Sequence, residues 1–279
     1  DLELLTIDPA LRKDPAERKK LINASDVTIL CLPDAAAKEA VSLVENDCVR
    51  IIDTSTAHRT AEGWAYGFPE LSPQHREAII HSKRVANPGC HATGFISSVY
   101  PLVQAGLIAP DEFLTCFSLT GYSGGGKKMI AQYEGAEKPA AFSSPRIYGL
   151  NQSHKHLPEM QQVCGLTTAP AFSPIVDDYY KGMATTIALP KAAESVQEAL
   201  AEHYKGAQLV TVHPLGWDES MVAANTNAGL DTLTLIVNGN AERCTVTALF
   251  DNLGKGASGA AVQNMNLMLG FEETAGLNL

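Results

Sequence analysis

The chain has 279 residues, of which 45% are hydrophobic and 19% charged, and this composition is that of a globular protein with enough apolar residues for a core. The formal net charge of -10, without a cluster of Lys or Arg, argues against a nucleic-acid-binding protein. No apolar run is long enough to span a bilayer and no signal peptide is visible, so no membrane association is expected. The six cysteines lack the paired spacing of a metal site, which predicts reduced thiols and a cytoplasmic protein.

The first third of the chain has the pattern of a doubly wound, Rossmann-like parallel sheet. Residues 2–7 are predicted to form a strand, and the charged residues 10–21 an exposed loop or a short helix. The nearly continuous apolar run 26–32 predicts a buried parallel strand, residues 35–44 a helix, and residues 49–53 the next strand. Such strand–helix–strand units bind ligands at the carboxyl ends of their strands.

No G-x-G-x-x-G fingerprint for a dinucleotide stands at a first strand–helix turn of this sequence. The glycine run 124–126 follows Ser123 in the middle of the chain and not a first strand–helix turn. We therefore expect that the dinucleotide-binding domain lacks its first strand, loop and helix, through processing or truncation, or because the glycine loop lies on a separate chain. Dinucleotide binding by this chain alone is expected to be weak.

Residues 85–94 place a cysteine on a tight turn before a helix. Asn87-Pro88 and Pro88-Gly89 are turn dipeptides, and the apolar residues at 95–103 have helical spacing. Cys90 is therefore expected at a helix N-terminus, where backbone N–H groups and the helix dipole stabilise a thiolate. A buried structural cysteine is the alternative that these residues alone leave open.

The rest of the chain predicts an α+β region. Period-two runs at 113–119, 184–189, 233–237 and 245–250 predict strands of an antiparallel or mixed sheet with one covered face. Residues 193–204 and 255–269 are predicted helices. The fold class is thus α/β, with a Rossmann-like domain followed by an α+β domain.

The segment 87–94, Asn-Pro-Gly-Cys-His-Ala-Thr-Gly, resembles the active-site segment of the N-acetyl-gamma-glutamyl-phosphate reductase family, in its shorter type. Other segments resemble the same family in order and extend over most of the chain, namely 52–55 with Arg59, 66–71, 120–128, 154–159, 251–256 and 263–266. The resemblance implies NADPH-dependent reduction of N-acetyl-L-glutamyl 5-phosphate to the semialdehyde through a Cys thioester, in arginine biosynthesis. Its implied partners are the acyl phosphate, phosphate and further copies of the chain, in a homodimer or homotetramer.

The resemblance also implies a division into domains. Residues 1–90 would form the incomplete dinucleotide-binding domain, and residues 91–253 the catalytic, substrate and dimerisation domain. Residues 254–279 would form a C-terminal helix that returns to the dinucleotide domain.

Cys90 is the expected nucleophile, and a histidine is expected to exchange its proton. His154 and His156 are two residues apart, and Pro158 favours an extended segment on which their side chains share a face. The resemblance favours His156, with His154 second, and Glu159 could orient the imidazole. A metal site is the alternative for such a pair, but a third ligand with metal spacing is missing, so no metal is expected.

Phosphate recognition requires Arg, Lys or backbone N–H groups, and the first candidate is Arg59. Lys181 is the second, at a position where longer relatives carry Arg. Tyr148, Asn87 and Gln263 are weaker candidates, and a solvated or structural side chain is the alternative for each. The resemblance and the strand ends place the cofactor against Leu32, Pro33, Ser55, Ser123, Gly124, Asn252, Lys255 and Gly256.

Three other functions remain open at this point. Aspartate-semialdehyde dehydrogenases share the expected architecture and cysteine chemistry, although the His-Lys-His-Leu-Pro-Glu segment argues against them. A cysteine hydrolase using Cys90 and His156 would need no nicotinamide. A non-catalytic binding remnant is made plausible by the missing glycine loop.

Overall fold

The computed structural model describes residues 2–217 and 220–279. The chain forms two compact units. The first unit contains the chain up to Asn87 together with Gln263–Ala275, and the second contains Pro88–Val262 and Gly276–Leu279. None of the helices in the described ranges combines the length and the apolar content that crossing a lipid bilayer requires.

The first unit is built on a four-stranded parallel sheet with the order β1-β2-β4-β3, as the strand–helix–strand pattern predicts. Its strands are β1 Val27–Leu30, β2 Arg50–Asp53, β3 Ala65–Tyr66 and β4 Arg84–Ala86, and its helices are α1 Pro15–Ala24, α2 Asp34–Ser42 and α3 Pro73–His81. Because the strands are parallel, the loops after β1, β2 and β4 leave the sheet at the same edge.

Residues 2–7 do not form the predicted strand. They have no regular secondary structure, and the Leu4 side chain is 85% exposed. A strand is stable only beside hydrogen-bonded neighbours, and no described strand pairs with this segment.

The second unit contains a seven-stranded mixed sheet with the order β6-β7-β5-β8-β11-β10-β9, which confirms the predicted sheet type. The strand β5 pairs in parallel with β7 and antiparallel with β8. The strands are β5 Thr115–Gly121, β6 Arg146–Ile147, β7 Ala171–Asp177, β8 Met183–Leu189, β9 Val210–Val212, β10 Leu233–Gly239 and β11 Cys244–Phe250.

Helices cover one face of this sheet. The helix α4 contacts β8 and β11, and α7 contacts β9 and β10. The helices of the second unit are α4 Cys90–Gln104, α5 Gly126–Glu134, α6 Leu157–Cys164, α7 Ala193–His203 and the start of α8 Gly259–Leu269. On the opposite face, Trp217 and Ala224 pack against Ala184 and its neighbours, whereas Phe117 of β5 is 51% exposed.

A π-helical turn, Gly254–Ser258, begins the last helix, where the sequence predicts a single regular helix. The Gly256 N–H donates to the Asp251 carbonyl at 3.0 Å, and the Ser258 N–H donates to the Leu253 carbonyl at 2.8 Å. Both bonds reach back five residues, so this turn is wider than an α-helical one. Such turns are frequent at functional sites.

Candidate active site

Cys90 is the first residue of α4, and the turn before it is held from another helix. Gly89 is the N-cap, with an extended backbone and no side chain to cap the helix. Its N–H donates to Oε2 of the buried Glu159 at 3.2 Å, so a carboxylate in the first turn of α6 fixes the turn that carries Cys90. The cysteine is partly exposed. The helix dipole and the N–H groups of the first turn favour its thiolate.

Gly256 lets the π-helical turn pass close to Cys90. A Cβ atom at Gly256 would lie 3.1 Å from the Cys90 Cβ atom and 3.0 Å from the Asp251 carbonyl oxygen. Glycine is therefore the residue that this approach accommodates without displacement.

The residue after the nucleophile, His91, lies at the centre of an aromatic cluster. His91 was not among the predicted site residues. The rings that contact it, with centroids 5.3 to 6.1 Å away, are those of Tyr148, His154, His156 and Phe172. Although three histidines meet here, the described residues contain no group of three or more His, Cys, Asp or Glu side chains that could hold a metal ion.

His154 and His156 lie in a turn and not in the extended segment that Pro158 predicted. His156 has helical backbone angles as the N-cap of α6, and Pro158 lies in the first turn of that helix. Proline is accommodated there because an N–H in the first turn would have no intrahelical acceptor, so its absence costs no hydrogen bond. The His156 N–H donates to Nδ1 of His154 at 3.2 Å. Neutral His154 therefore carries its proton on Nε2.

His91 also belongs to a row of hydrogen-bonded side chains, which we call the polar chain: half-buried Tyr148 and the buried His91, Ser118 and Thr185. The Tyr148 hydroxyl lies 2.6 Å from His91 Nε2, His91 Nδ1 lies 2.7 Å from Ser118 Oγ, and Ser118 Oγ lies 2.7 Å from Thr185 Oγ1. Burial lowers the pKa of His91 to about 3, with a smaller effect from His154, so the imidazole is neutral. Burial, with a smaller effect from the Cys90 charge, raises the pKa of Tyr148.

Lys181 forms an ion pair with Asp251. The distance from Nζ to Oδ2 is 3.3 Å, and the lysine side chain is 39% exposed. The same buried carboxylate accepts the N–H groups of Gly229 at 2.6 Å and Leu253 at 2.8 Å. Asp251 thus connects Lys181 to the chain that leads into the π-helical turn.

The predicted cofactor residues of the second unit form a connected set. Asn252 accepts the Gly182 N–H at 2.8 Å and donates to Ser123 Oγ at 2.8 Å. Both Asn252 and Ser123 are buried, whereas Gly124 beside them is exposed. Lys255 is buried within the π-helical turn.

Arg59 is held by backbone carbonyls in the first unit. Its Nε donates to the Asn87 carbonyl and its Nη2 to the Thr54 carbonyl, both at 2.9 Å. Asn87 itself is buried and donates its N–H to the Asp53 carbonyl at 2.8 Å. The guanidinium is therefore positioned at the ends of β2 and β4.

The loop that carries Arg59 is organised by the buried Asp53 carboxylate. It accepts the Ser55 hydroxyl at 2.8 Å and lies 2.6 Å from Nδ1 of His58, whose ring stacks on Trp64. The Ser55 hydroxyl also accepts the Ala57 N–H at 3.1 Å. Ser55 therefore takes part in the internal structure of this loop.

The loop after β1 carries the other two predicted cofactor residues of the first unit. Leu32 is half-buried and Pro33 is exposed, and Pro33 is the N-cap of α2. The Pro33 side chain makes no capping hydrogen bond. The N-terminus of α2, with the positive end of the helix dipole, lies at this edge of the sheet.

Two family descriptions match the chain. "Semialdehyde dehydrogenase, dimerisation domain" matches residues 90–252, and "Semialdehyde dehydrogenase, NAD binding domain" matches residues 8–79. N-acetyl-gamma-glutamyl-phosphate reductase 2 of Nostoc sp. is 45% identical over 99% of this chain and 92% of that protein. The protein of the same name from Pseudomonas putida is 46% identical over 99% of this chain and 91% of that protein.

Solved structures agree in fold. Aspartate semialdehyde dehydrogenase II from Vibrio cholerae superposes with a TM-score of 0.69 over 89% of this chain and 81% of that one, at 16% identity. Aspartate semialdehyde dehydrogenase with NADP from Candida albicans gives a TM-score of 0.62 over 88% and 77%, at 14% identity. These likenesses confirm the predicted fold class, a Rossmann-like domain with a second α+β domain.

Proposed function

This chain belongs to the semialdehyde dehydrogenase family and, within it, to the N-acetyl-gamma-glutamyl-phosphate reductases, and we propose on this basis that it reduces N-acetyl-L-glutamyl 5-phosphate to the semialdehyde with NADPH. The reaction is a step of arginine biosynthesis. The observation that carries the proposal is Cys90 at the N-terminus of α4, with the rings of His154 and His156 clustered around His91, the next residue.

Cys90 attacks the acyl carbon of the substrate as a thiolate. A C–S bond forms, the bond from the acyl carbon to the phosphate oxygen breaks, and phosphate leaves with the electron pair. The product of this step is a thioester on Cys90. The helix N-terminus and the Glu159-anchored turn hold the sulfur in place for the attack.

The two histidines of the turn before α6 take different parts in this step. His156 accepts the Cys90 proton. His154 acts as a donor, because its Nδ1 is occupied by the His156 N–H and its proton lies on Nε2. Glu159 positions the nucleophile turn and, through α6, the histidine at the start of that helix.

NADPH, when bound, supplies the hydride that converts the thioester to the aldehyde. In the first unit, Leu32 and Pro33 precede the N-terminus of α2, a kind of helix end that suits a phosphate, and Ser55 follows β2. In the second unit, the Asn252 amide has one more N–H and one more lone pair than its two internal contacts use, as a carboxamide partner requires. The residues that would contact the cofactor around Asn252 are Ser123, Gly124, Lys255 and Gly256.

The anionic groups of the substrate are assigned to Lys181 and Arg59. The Lys181 ammonium has three donors, so it can bind a carboxylate or phosphate while it remains near Asp251. The Arg59 guanidinium is pre-oriented by two carbonyls. Tyr148 and Asn87 are further substrate contacts in this proposal.

We also propose that the protein is a homodimer or a homotetramer. Residues 90–252 match a dimerisation domain, and the sheet in this region leaves an apolar side chain, Phe117, half exposed on the face opposite the helices. A second copy would cover this face. We place the protein in the cytoplasm, because none of its six cysteines is in a disulfide, which is the state that reducing compartments maintain.

The test is the reverse reaction, with N-acetylglutamate semialdehyde, NADP+ and phosphate. We expect phosphate-dependent NADPH formation, and a kcat/KM at least about 100-fold above that for aspartate semialdehyde. An equal or higher kcat/KM for aspartate semialdehyde would show that the proposed substrate is wrong. Thioester hydrolysis without nicotinamide and without reductase activity would instead indicate a cysteine hydrolase.

A further inference from the structure

We infer that His91 is a positioning residue that fixes the Tyr148 hydroxyl as a hydrogen-bond donor to the oxyanion formed when Cys90 attacks an acyl group. This inference deepens the proposed function and rests on its first step, the acylation of Cys90. The proposed function assigns no role to His91, Ser118 or Thr185.

The direction of the hydrogen bonds in the polar chain follows from its buried end. Within the described parts of the chain, the Thr185 hydroxyl has one hydrogen-bond partner, Ser118 Oγ, and Thr185 is fully buried. A buried O–H without an acceptor is unfavourable, so the Thr185 hydroxyl donates to Ser118.

The rest of the direction follows from the chemistry of a neutral imidazole. The Ser118 proton is then donated to Nδ1 of His91 at 2.7 Å. A neutral imidazole that accepts at Nδ1 carries its proton on Nε2, and this N–H donates to the Tyr148 oxygen at 2.6 Å. The tyrosine oxygen is therefore an acceptor within the chain, and its own proton is directed away from His91.

The ionisation states agree with this direction. Burial lowers the pKa of His91 to about 3, so the ring does not become the doubly donating imidazolium at neutral pH. Burial raises the pKa of Tyr148, so its proton remains available. The polar chain thus offers a donor to the site without adding a charge.

Tyr148 is joined to the residue after Cys90, because its hydroxyl lies 2.6 Å from His91 Nε2. The thiolate is the second cause of the raised pKa of Tyr148, after burial. His91, which holds the tyrosine oxygen, is the next residue after Cys90 in α4. A fixed donor next to the attacked carbon stabilises the oxyanion without reorganisation, which is the main source of catalysis in acyl transfer.

The experiment measures acylation of Cys90 by p-nitrophenyl acetate as a pre-steady-state burst. The sulfur forms a bond to the acetyl carbon and p-nitrophenolate leaves, so neither NADPH nor the natural substrate is needed. We expect Tyr148→Phe and His91→Phe each to slow the burst by about 100-fold, as the loss of one oxyanion donor does. Both substitutions remove the same donor. The burst rate of the double variant should therefore lie within about threefold of that of the slower single variant.

Alkylation of Cys90 by iodoacetamide is the matched readout. This substitution forms no oxyanion, so the same variants should be alkylated within about twofold of the wild-type rate. A structural role of His91 would displace Cys90 and slow both reactions. A parallel loss in alkylation and acylation would therefore overturn the inference, as would single effects that multiply in the double variant.

A pair of threonines in β8 gives a second test if the His91 variant fails to fold. Thr185→Val removes the hydroxyl that sets the direction of the polar chain, and we expect roughly three- to tenfold slower acylation. Thr186→Val is the control, because Thr186 pairs with Thr247 at 2.9 Å outside the polar chain. Equal burst rates in these two variants would contradict the inference. If the burst pattern holds but N-acetylglutamate semialdehyde is not turned over, the proposed function fails and this inference stands.

Discussion

The buried carboxylate of Glu159 accepts a hydrogen bond from the backbone N–H of Gly89, the residue before Cys90. The partners are separated by 70 residues and belong to different helices. Since α6 also has His156 as its N-cap, one helix start positions both the turn of the nucleophile and His156.

Glu159→Ala is expected to lower both stability and activity. The buried Gly89 N–H would lose this acceptor, which costs about 1–3 kcal/mol in the free energy of unfolding. Glu159→Gln retains an acceptor oxygen and should lose clearly less in urea unfolding and in kcat. If the Gln variant were as inactive as the Ala variant, the negative charge would be the essential property, as in orienting an imidazolium.

Cys90→Ser is expected to abolish reduction while the protein remains folded. The substitution changes volume little but replaces a thiolate with a hydroxyl that is a far weaker nucleophile. Activity would be measured with N-acetylglutamate semialdehyde, and folding by circular dichroism. Activity within about tenfold of wild type, a change of about 1.4 kcal/mol in the barrier, would remove Cys90 from the mechanism.

His156→Asn and His154→Asn should differ in their effect on Cys90. Loss of the base at position 156 should lower the fraction of reactive thiolate near neutral pH, because imidazole promotes thiolate formation. His154→Asn should retain the labelling curve but lower kcat, since this residue acts as a donor. Iodoacetamide labelling against pH separates the two, and a shifted curve only in His154→Asn would exchange their roles.

The neutral state of His91 makes stability depend on pH. Its pKa is 6.5 when unfolded and about 3 when folded. Above pH 6.5, His91 is neutral in both the folded and the unfolded protein, and its contribution to the free energy of unfolding does not change with pH. Below pH 6.5, the unfolded protein binds a proton at His91 that the folded protein does not bind. The free energy of unfolding should therefore fall by up to about 1.4 kcal/mol for each pH unit below 6.5.

His91→Phe removes this contribution and serves as the comparison. The difference in the free energy of unfolding between wild type and variant should narrow as the pH is lowered from 6.5 towards 5, in urea titrations. Burial also lowers the pKa of His75, but that histidine is present in both proteins and cancels. If the free energies of unfolding of wild type and variant changed in parallel with pH, His91 would be protonated in the folded protein as well as in the unfolded one.

Phe117→Glu is expected to weaken self-association. The charge would lie in the apolar face that a second copy is proposed to cover, where desolvating it is unfavourable. Phe271→Glu is the control, because Phe271 is 50% exposed, against 51% for Phe117, but lies outside this sheet. Light scattering should show a lower mass only for the Phe117 variant, and an unchanged mass would place the interface elsewhere.

Local patterns predicted the parts of the fold and the site that depend on neighbouring residues. The turn before Cys90 was predictable because turn dipeptides and helical spacing are adjacent in sequence. The strand β7 was not predicted, because Pro170 and Pro174 interrupt its pattern; Pro174 nevertheless lies within the sheet and its carbonyl accepts the Tyr148 N–H at 3.0 Å.

Patterns of neighbouring residues could not predict the polar chain, because its members are far apart in the sequence. Ser118 and Thr185 are single hydroxyls in two strands, and no spacing relates them to His91. The one available indication was His91 itself, a titratable residue in the first turn of a helix whose following residues are almost all buried. Its role becomes visible only when the partners and their distances are known.

The polar chain has a consequence for how the protein folds. Its hydrogen bonds join residues 57, 27 and 67 positions apart, so each one closes a long loop. The entropy of these closures is lost before the bonds form, which makes such contacts late events in folding. Intermediates in which α4 has formed but the sheet has not would display Cys90 on its helix without Tyr148 beside it. Refolding protein should thus regain thiol reactivity towards alkylating reagents before it regains the ability to be acylated.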